Sequence, residues 1–334
     1  MLDPVDLARE LAAIPSPTGH EHAVVAFLAD RLRALGWTVD RQPVSGGRDN
    51  LYARRSPPVV VLSTHLDTVP PELPFREDAD TLHGRGVCDA KGIAAAMVAA
   101  AEELAAHGET RVALLFVVGE EDGSDGARRA VALEPKGRYL VNGEPTDNRL
   151  VTAQKGTLKV EIDVTGRAAH SGYPELGDSA IDALIDILAR VRAIRLPRDP
   201  VLGEATINIG RVSGGEAPNV VAPSARAELL VRLVGPDDSI RRAISEAVGP
   251  RGSVSFVPGI PPATGAVLPG WSTTTVAFAS DLAFHGAWGR CFQLGPGSIH
   301  VAHSDHERIA KAELREGTRL YVRLARELLA GAAA

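Results

Sequence analysis

The run Val59-Val60-Val61-Leu62-Ser63-Thr64-His65-Leu66-Asp67-Thr68 constrains this chain more than any other stretch. Four aliphatic residues follow one another without polar alternation, and three of them are β-branched. That pattern specifies a strand buried on both faces, hence a largely parallel sheet with helices on either side. The run ends on His65 and Asp67, and open α/β sheets build their sites beyond the carboxyl ends of their strands. Two further aliphatic runs end in acids: residues 112–118 lead to Glu120 and Glu121, and Tyr139-Leu140-Val141 leads to Glu144. Carboxylates and an imidazole are therefore expected on one rim.

With 334 residues, 45% hydrophobic and 23% charged, the chain can bury two cores and is not of a disordered composition. A net charge of -6 without any block of like charge argues against nucleic acid or an anionic membrane as partner. The first residues, Met1-Leu2-Asp3-Pro4-Val5-Asp6, carry neither the basic nor the apolar region of a signal peptide. No apolar run approaches the ~20 residues of a spanning helix, so a cytoplasmic protein is expected. Cys88 and Cys291 are too few for a disulfide framework or a thiolate-held zinc.

Residues 7–35 show helical periodicity, interrupted at Pro15-Ser16-Pro17-Thr18-Gly19 and closed by Gly36. His20 and His22 lie two apart at a helix start and point to different faces, which argues against a shared metal. In Gly84-Arg85-Gly86-Val87-Cys88-Asp89-Ala90-Lys91-Gly92 the lysine precedes the glycine, the reverse of a phosphate-binding loop. Tight glycines presenting Asp89 between a strand and an alanine-rich helix fit better. From Gln154 the pattern changes: Leu158-Lys159-Val160-Glu161-Ile162-Asp163-Val164-Thr165 alternates strictly, as in a strand with one wet face. The order that follows, βαββαβ, predicts a ferredoxin-like α+β domain over residues 154–264, inserted into an α/β domain made of residues 1–153 and 265–334.

Singly, Glu120 and Glu121 suit a helix N-terminus, Asp67 a cap and His303 the surface. Together, His65, Asp89, Glu121, Glu144 and His303 supply two imidazoles and three carboxylates, a set suited to two zinc-like ions sharing one carboxylate. Asp67 is placed to hold the other nitrogen of His65.

The motifs Ser63-Thr64-His65-Leu66-Asp67-Thr68-Val69-Pro70, Gly84 to Gly92 as written above, Gly119-Glu120-Glu121, Gly143-Glu144-Pro145-Thr146, Gly295-Pro296-Gly297 and Ala302-His303 are together similar, in order, to a family of metallohydrolases. That family includes acetylornithine deacetylase, succinyl-diaminopimelate desuccinylase, aminoacylase and glutamate carboxypeptidase. The resemblance spans the chain and implies a zinc-exopeptidase-like catalytic domain whose inserted domain serves as lid and dimer contact. It implies that Asp89 bridges two divalent ions, zinc or alternatively cobalt or manganese. His65 and Glu144 would hold one ion, Glu121 and His303 the other, and Glu120 would be the general base. His170, in Gly166-Arg167-Ala168-Ala169-His170-Ser171, would steady the oxyanion from a neighbouring subunit, while Asn219, Arg232, Gly295 and Gly297 would contact substrate. The expected reaction is hydrolysis of an N-acyl amino acid, acetylornithine deacetylase-like first, with carboxypeptidase or dipeptidase action on short peptides as the alternative.

Two departures stand out. The last motif reads His303-Ser304-Asp305-His306-Glu307, with imidazole where the family has an acid, so His306 and His300 compete with His303. Gly119 stands where the family often has Asp. Two rival readings come from other chemistry. Cys88 as nucleophile is disfavoured because adjacent Asp89 would raise the thiol pKa. A binding protein that keeps metals without turnover is disfavoured by the intact Glu120.

Overall fold

The computed structural model describes residues 2–257 and 259–332 and divides into two compact units. The first comprises Met1–Thr152, Thr264–Thr274 and Ser280–Ala334; the second comprises Ala153–Ala263 and Thr275–Ala279. The sequence assigns residues 275–279 to the first unit. They go with the second, where the Lys155 N–H donates to the Val276 carbonyl (3.2 Å).

In the first unit a six-stranded mixed sheet runs in the order Thr38–Pro43, Asp49–Arg54, Val112–Val117, Val60–His65, Tyr139–Asn142, Arg290–Gln293. The last four are mutually parallel, and the first two complete one antiparallel edge. Alternate residues of the central strands feed different cores, which is why their sequences do not alternate in polarity. Val60, Leu62, Leu114 and Phe116 pack with the helices Pro4–Ala12, His22–Ala34, Lys91–Ala106 and Lys311–Ala332. Val61, Ala113, Leu115 and Val117 pack with Ala130 and Trp288 on the other side. The Lys91–Ala106 helix is alanine-rich because it is buried nearly all round, and small side chains let it lie close to the sheet and to its helical neighbours.

The second unit is a four-stranded antiparallel sheet in the order Thr206–Gly214, Ser224–Leu233, Gly156–Thr165, Ser253–Val257, with helices Ala180–Arg192 and Asp238–Val248 packed on one face. Numbered along the unit, that order is the ferredoxin-like one. Strict alternation of Gly156–Thr165 places Leu158, Val160, Ile162 and Val164 in the core and leaves Lys159 and Thr165 in water. The α/β fold with an inserted ferredoxin-like domain, expected from the sequence, is what the chain adopts.

Candidate active site

Three parallel strands end together, so His65, the Glu120-Glu121 turn and the Glu144 loop emerge on one rim of the sheet. His65 is the last residue of its strand and is buried. Its Nδ1 donates to the Asp67 carbonyl (3.0 Å), which orients the ring and sets Nε2 against Asp89 Oδ1 at 3.1 Å. The other Asp89 oxygen lies 3.3 Å from His303 Nε2, and His303 Nε2 also lies 2.9 Å from Glu121 Oε1. One carboxylate thus spans two imidazoles, one per oxygen.

Asp67 is wholly buried and does more than hold histidine. Its carboxylate accepts the Glu120 N–H (3.1 Å), the Glu121 N–H (3.0 Å) and the Thr18 hydroxyl (2.8 Å). Burial pushes its pKa up, but His65 and these donors outweigh burial and leave it lowered. Just before the pair, Gly119 has φ +74, and a Cβ there would stand 2.1 Å from Asp125 Oδ1. Arg48 and Asp125 form an ion pair against that turn, so the space an Asp would need is filled.

The electrostatics call for cations. Burial, then the charge of Glu144, holds Glu120 well above the usual carboxylate range, and burial, then Asp89, raises Glu121. Glu144 is likewise raised well above it, by burial first. Hydrogen bonds from its ring to the Asp89 and Glu121 carboxylates lift His303 to about 10. Burial lowers His65, yet Asp67 and Asp89 carry it well above its ordinary value. Imidazole nitrogens and carboxylate oxygens about 3 Å apart, inside a cluster of buried acids, favour positive charge between them, which protons supply here and which a metal ion can replace. Donors on a common tetrahedral ion with bonds of ~2.0–2.1 Å stand ~3.3 Å apart, which matches the observed spacings. The ligating atoms of His65, Asp89 and Glu121 all lie within 4.8 Å of one another. The residues present fit a divalent metal centre.

Among the competing histidines, His306 pairs with exposed Asp305 (2.8 Å), whereas His303 faces Asp89 and Glu121. His20 and His22 are exposed and belong to no cluster of ligating groups among the described residues. Cys88 is buried, and burial followed by the Asp89 charge raises its thiol well above the ordinary value, so it stays protonated. The glycines differ from expectation. The Gly295 N–H donates to Thr146 Oγ1 (2.9 Å) and the Gly297 N–H to Glu313 Oε1 (3.0 Å). The Gly295 amide fastens the Glu144 loop through Thr146, the Gly297 amide ties its turn to the helix Lys311–Ala332, and both are thereby occupied. In the second unit, His170 and Asn219 come together: His170 bridges Val220, and the Ser171 N–H donates to the Asn219 carbonyl (3.0 Å). Arg232 does not join them. It sits near the far end of the strand Ser224–Leu233, opposite Thr157 and Thr206, eight residues or roughly 27 Å from the end that adjoins the His170 segment.

Sequence reasoning missed three residues. Asn142 Nδ2 lies 3.4 Å from Glu144 Oε1 and 3.2 Å from Gln293 Oε1, and its carbonyl faces His285 Nε2 at 3.3 Å. Asp281 is buried and raised to about 7, by burial first. Asp281 and His285 lie in a 3₁₀ segment, Asp281–Trp288, whose sequence carries neither helical nor strand periodicity.

Comparison with known proteins gives this geometry a family. Residues 61–208 match the model of peptidase family M20/M25/M40. Over 364 residues the chain is 40% identical to a protein of Aspergillus terreus named probable carboxypeptidase, covering 95% of this chain and 84% of that one. The chain belongs to peptidase family M20. A second M20 relative, a peptidase M20 domain-containing protein of Schizosaccharomyces pombe, is 36% identical over 333 residues, with 96% and 83% of the two chains covered. An M20 family metallo-carboxypeptidase of Sulfolobus solfataricus shares the fold at a TM-score of 0.81, with 16% identity over 98% of this chain and 99% of that one. The aminopeptidase PepT of Bacillus cereus does so at 0.78, with 22% identity and 98% of each chain covered. The chain is therefore an enzyme, a metallopeptidase hydrolase of the M20 family. The deacetylase reading placed first from the motifs gains no support from these relatives, whose names fit the peptidase alternative.

Proposed function

We propose that this M20 enzyme is a carboxypeptidase or dipeptidase that removes a C-terminal amino acid from short peptides using two divalent ions, zinc first among them. The observation that supports it most is Asp89 spanning His65 and His303 beside Glu121, read with the 40% identity to a protein named probable carboxypeptidase. His65 and Glu144 would hold one ion, Glu121 and His303 the other, and Asp89 both. Such ions supply Lewis acidity toward the scissile carbonyl and lower the pKa of water. Glu120, kept basic by burial and neighbouring carboxylates, takes the proton from the attacking water and returns it to the leaving amine. His170 Nδ1 accepts the Gly172 N–H (3.0 Å), so Nε2 carries the proton and can donate to an oxyanion. Neighbouring Asn219 would assist in holding the substrate.

A homodimer through the second unit goes with this reading. Strand Thr206–Gly214 is an edge of its sheet with Val212 58% exposed, and Ile185 on the helix Ala180–Arg192 is 59% exposed. The deciding experiment is a panel of dipeptides, N-blocked peptides with free or amidated C-termini, N-acetylornithine and N-succinyl amino acids, assayed with zinc. Cleavage that requires the free C-terminal carboxylate is expected. A higher kcat/KM on N-acetylornithine than on any peptide would overturn the proposal in favour of the deacetylase.

A further inference from the structure

The segment that follows His303 carries a carboxylate that the reaction does not use. The Glu307 side chain is fully buried, and one of its oxygens pairs with Arg85 Nη1 at 2.6 Å, itself only 2% exposed. Its other oxygen, Oε1, accepts two consecutive main-chain donors, the Cys88 N–H at 3.0 Å and the Asp89 N–H at 3.1 Å. The Glu307 carbonyl also accepts the Gly84 N–H at 3.1 Å, and the strand Arg308–Ala310 then pairs with Thr81–His83. Glu307 is thus bonded at both ends of the loop that carries Asp89, four residues after His303.

We propose that Glu307 is a positioning residue that sets the separation of Asp89 and His303 before any metal arrives. The inference rests on the reading of Asp89 and His303 as metal ligands. Neutralising Arg85 alone would need one carboxylate oxygen. The second oxygen is spent on the backbone of Asp89, whose side chain must present one oxygen to each imidazole. Arg85, held also by the Pro71 carbonyl (3.2 Å), anchors the carboxylate so that it cannot swing away from those amides. A ligand pair held in this way meets the metal without a reorganisation cost, and loss of such outer contacts typically weakens metal affinity about 10–100-fold.

The test compares zinc affinity of the metal-free full-length protein, by competition with a chelating dye, with its thermal midpoint. In Glu307→Gln, either orientation of the amide sets NH2 against a donor, Arg85 or the two main-chain N–H groups. Zinc affinity should fall by about 10–100-fold. Combining Glu307→Gln with Arg85→Gln removes the charge clash and lets the amide oxygen face Cys88 and Asp89 again, so most of the affinity should return. A single variant that binds zinc like the wild type while losing only thermal stability would overturn the inference, because the ion pair would then be structural alone. So would a folded double variant that stays as weak as the single one. Should the single variant fail to fold, the double variant decides by the same criterion against wild type. A wild-type protein that takes up no metal would overturn the ligand reading itself, a distinct outcome.

Discussion

Replacing Asp67 by asparagine tests how the Glu120-Glu121 turn is held. Asp67 is ionised at pH 7, since its pKa is lowered despite complete burial, and it accepts from Thr18, Glu120 and Glu121 at 2.8, 3.1 and 3.0 Å. The first and last of these share one oxygen, Oδ2, and the Glu120 N–H uses Oδ1. An amide oriented to keep Thr18 and Glu121 therefore points NH2 at the Glu120 N–H. One bond to a charged acceptor is lost, about 1.5–3 kcal/mol, and the two that survive become neutral, about 1 kcal/mol weaker each. The expected loss is roughly 4 kcal/mol of metal-free stability. His65 Nδ1 keeps its bond to the Asp67 backbone carbonyl (3.0 Å) and loses only its longer approach to Asp67 Oδ1 (3.4 Å), so its ring should stay oriented while its pKa falls. Urea unfolding at pH 7 measures the loss, and an assay at saturating metal should show turnover falling more than metal content, since Glu120 is the displaced group. A stability change under about 1 kcal/mol would refute the account of Asp67 as the anchor of that turn.

Burial holds His285 neutral, with its pKa pulled from 6.5 to about 3. Between those values the unfolded chain binds a proton that the folded one refuses, so stability rises with pH across the window and is lost as pH falls. At pH 5 the loss is about 2 kcal/mol; His285→Gln should remove it, and an unchanged difference between urea midpoints at pH 5 and 7 would contradict this. Glu120→Ala should keep its metal and lose most turnover, while loss of metal along with activity would show that Glu120 and Glu121 are assigned the wrong way round. His170→Ala should fold, keep its metal and turn over about 10²–10³ more slowly. If His170 acts on the partner's site, mixing the His170→Ala and Glu120→Ala proteins under subunit exchange should restore activity, and no recovery despite proven exchange would place it in cis.

Local patterns in the chain determined a good deal. Short unbroken runs rich in β-branched residues read as strands covered on both faces, and strict alternation reads as a strand with one wet face, so the two architectures and their order were legible. The rim was legible as well: parallel strands ending in His65, Glu120-Glu121 and Glu144 must deliver those groups together. Tertiary structure decided what depends on contacts between residues far apart in the chain. Whether His303 or His306 faces Asp89 turns on how a loop closes across more than two hundred positions, and spacing within the motif carries no such information. The amides of Gly295 and Gly297 donate to a hydroxyl and a carboxylate of the protein itself, a fact visible only once Thr146 and Glu313 are brought against them. Arg232 and His170 looked alike as polar residues of one domain, yet strand register put them at opposite ends of a sheet. Asp281, His285 and the grip of Glu307 on Asp89 left no trace in periodicity, because a buried polar group is defined by the partners that fold around it, and those partners are remote in sequence.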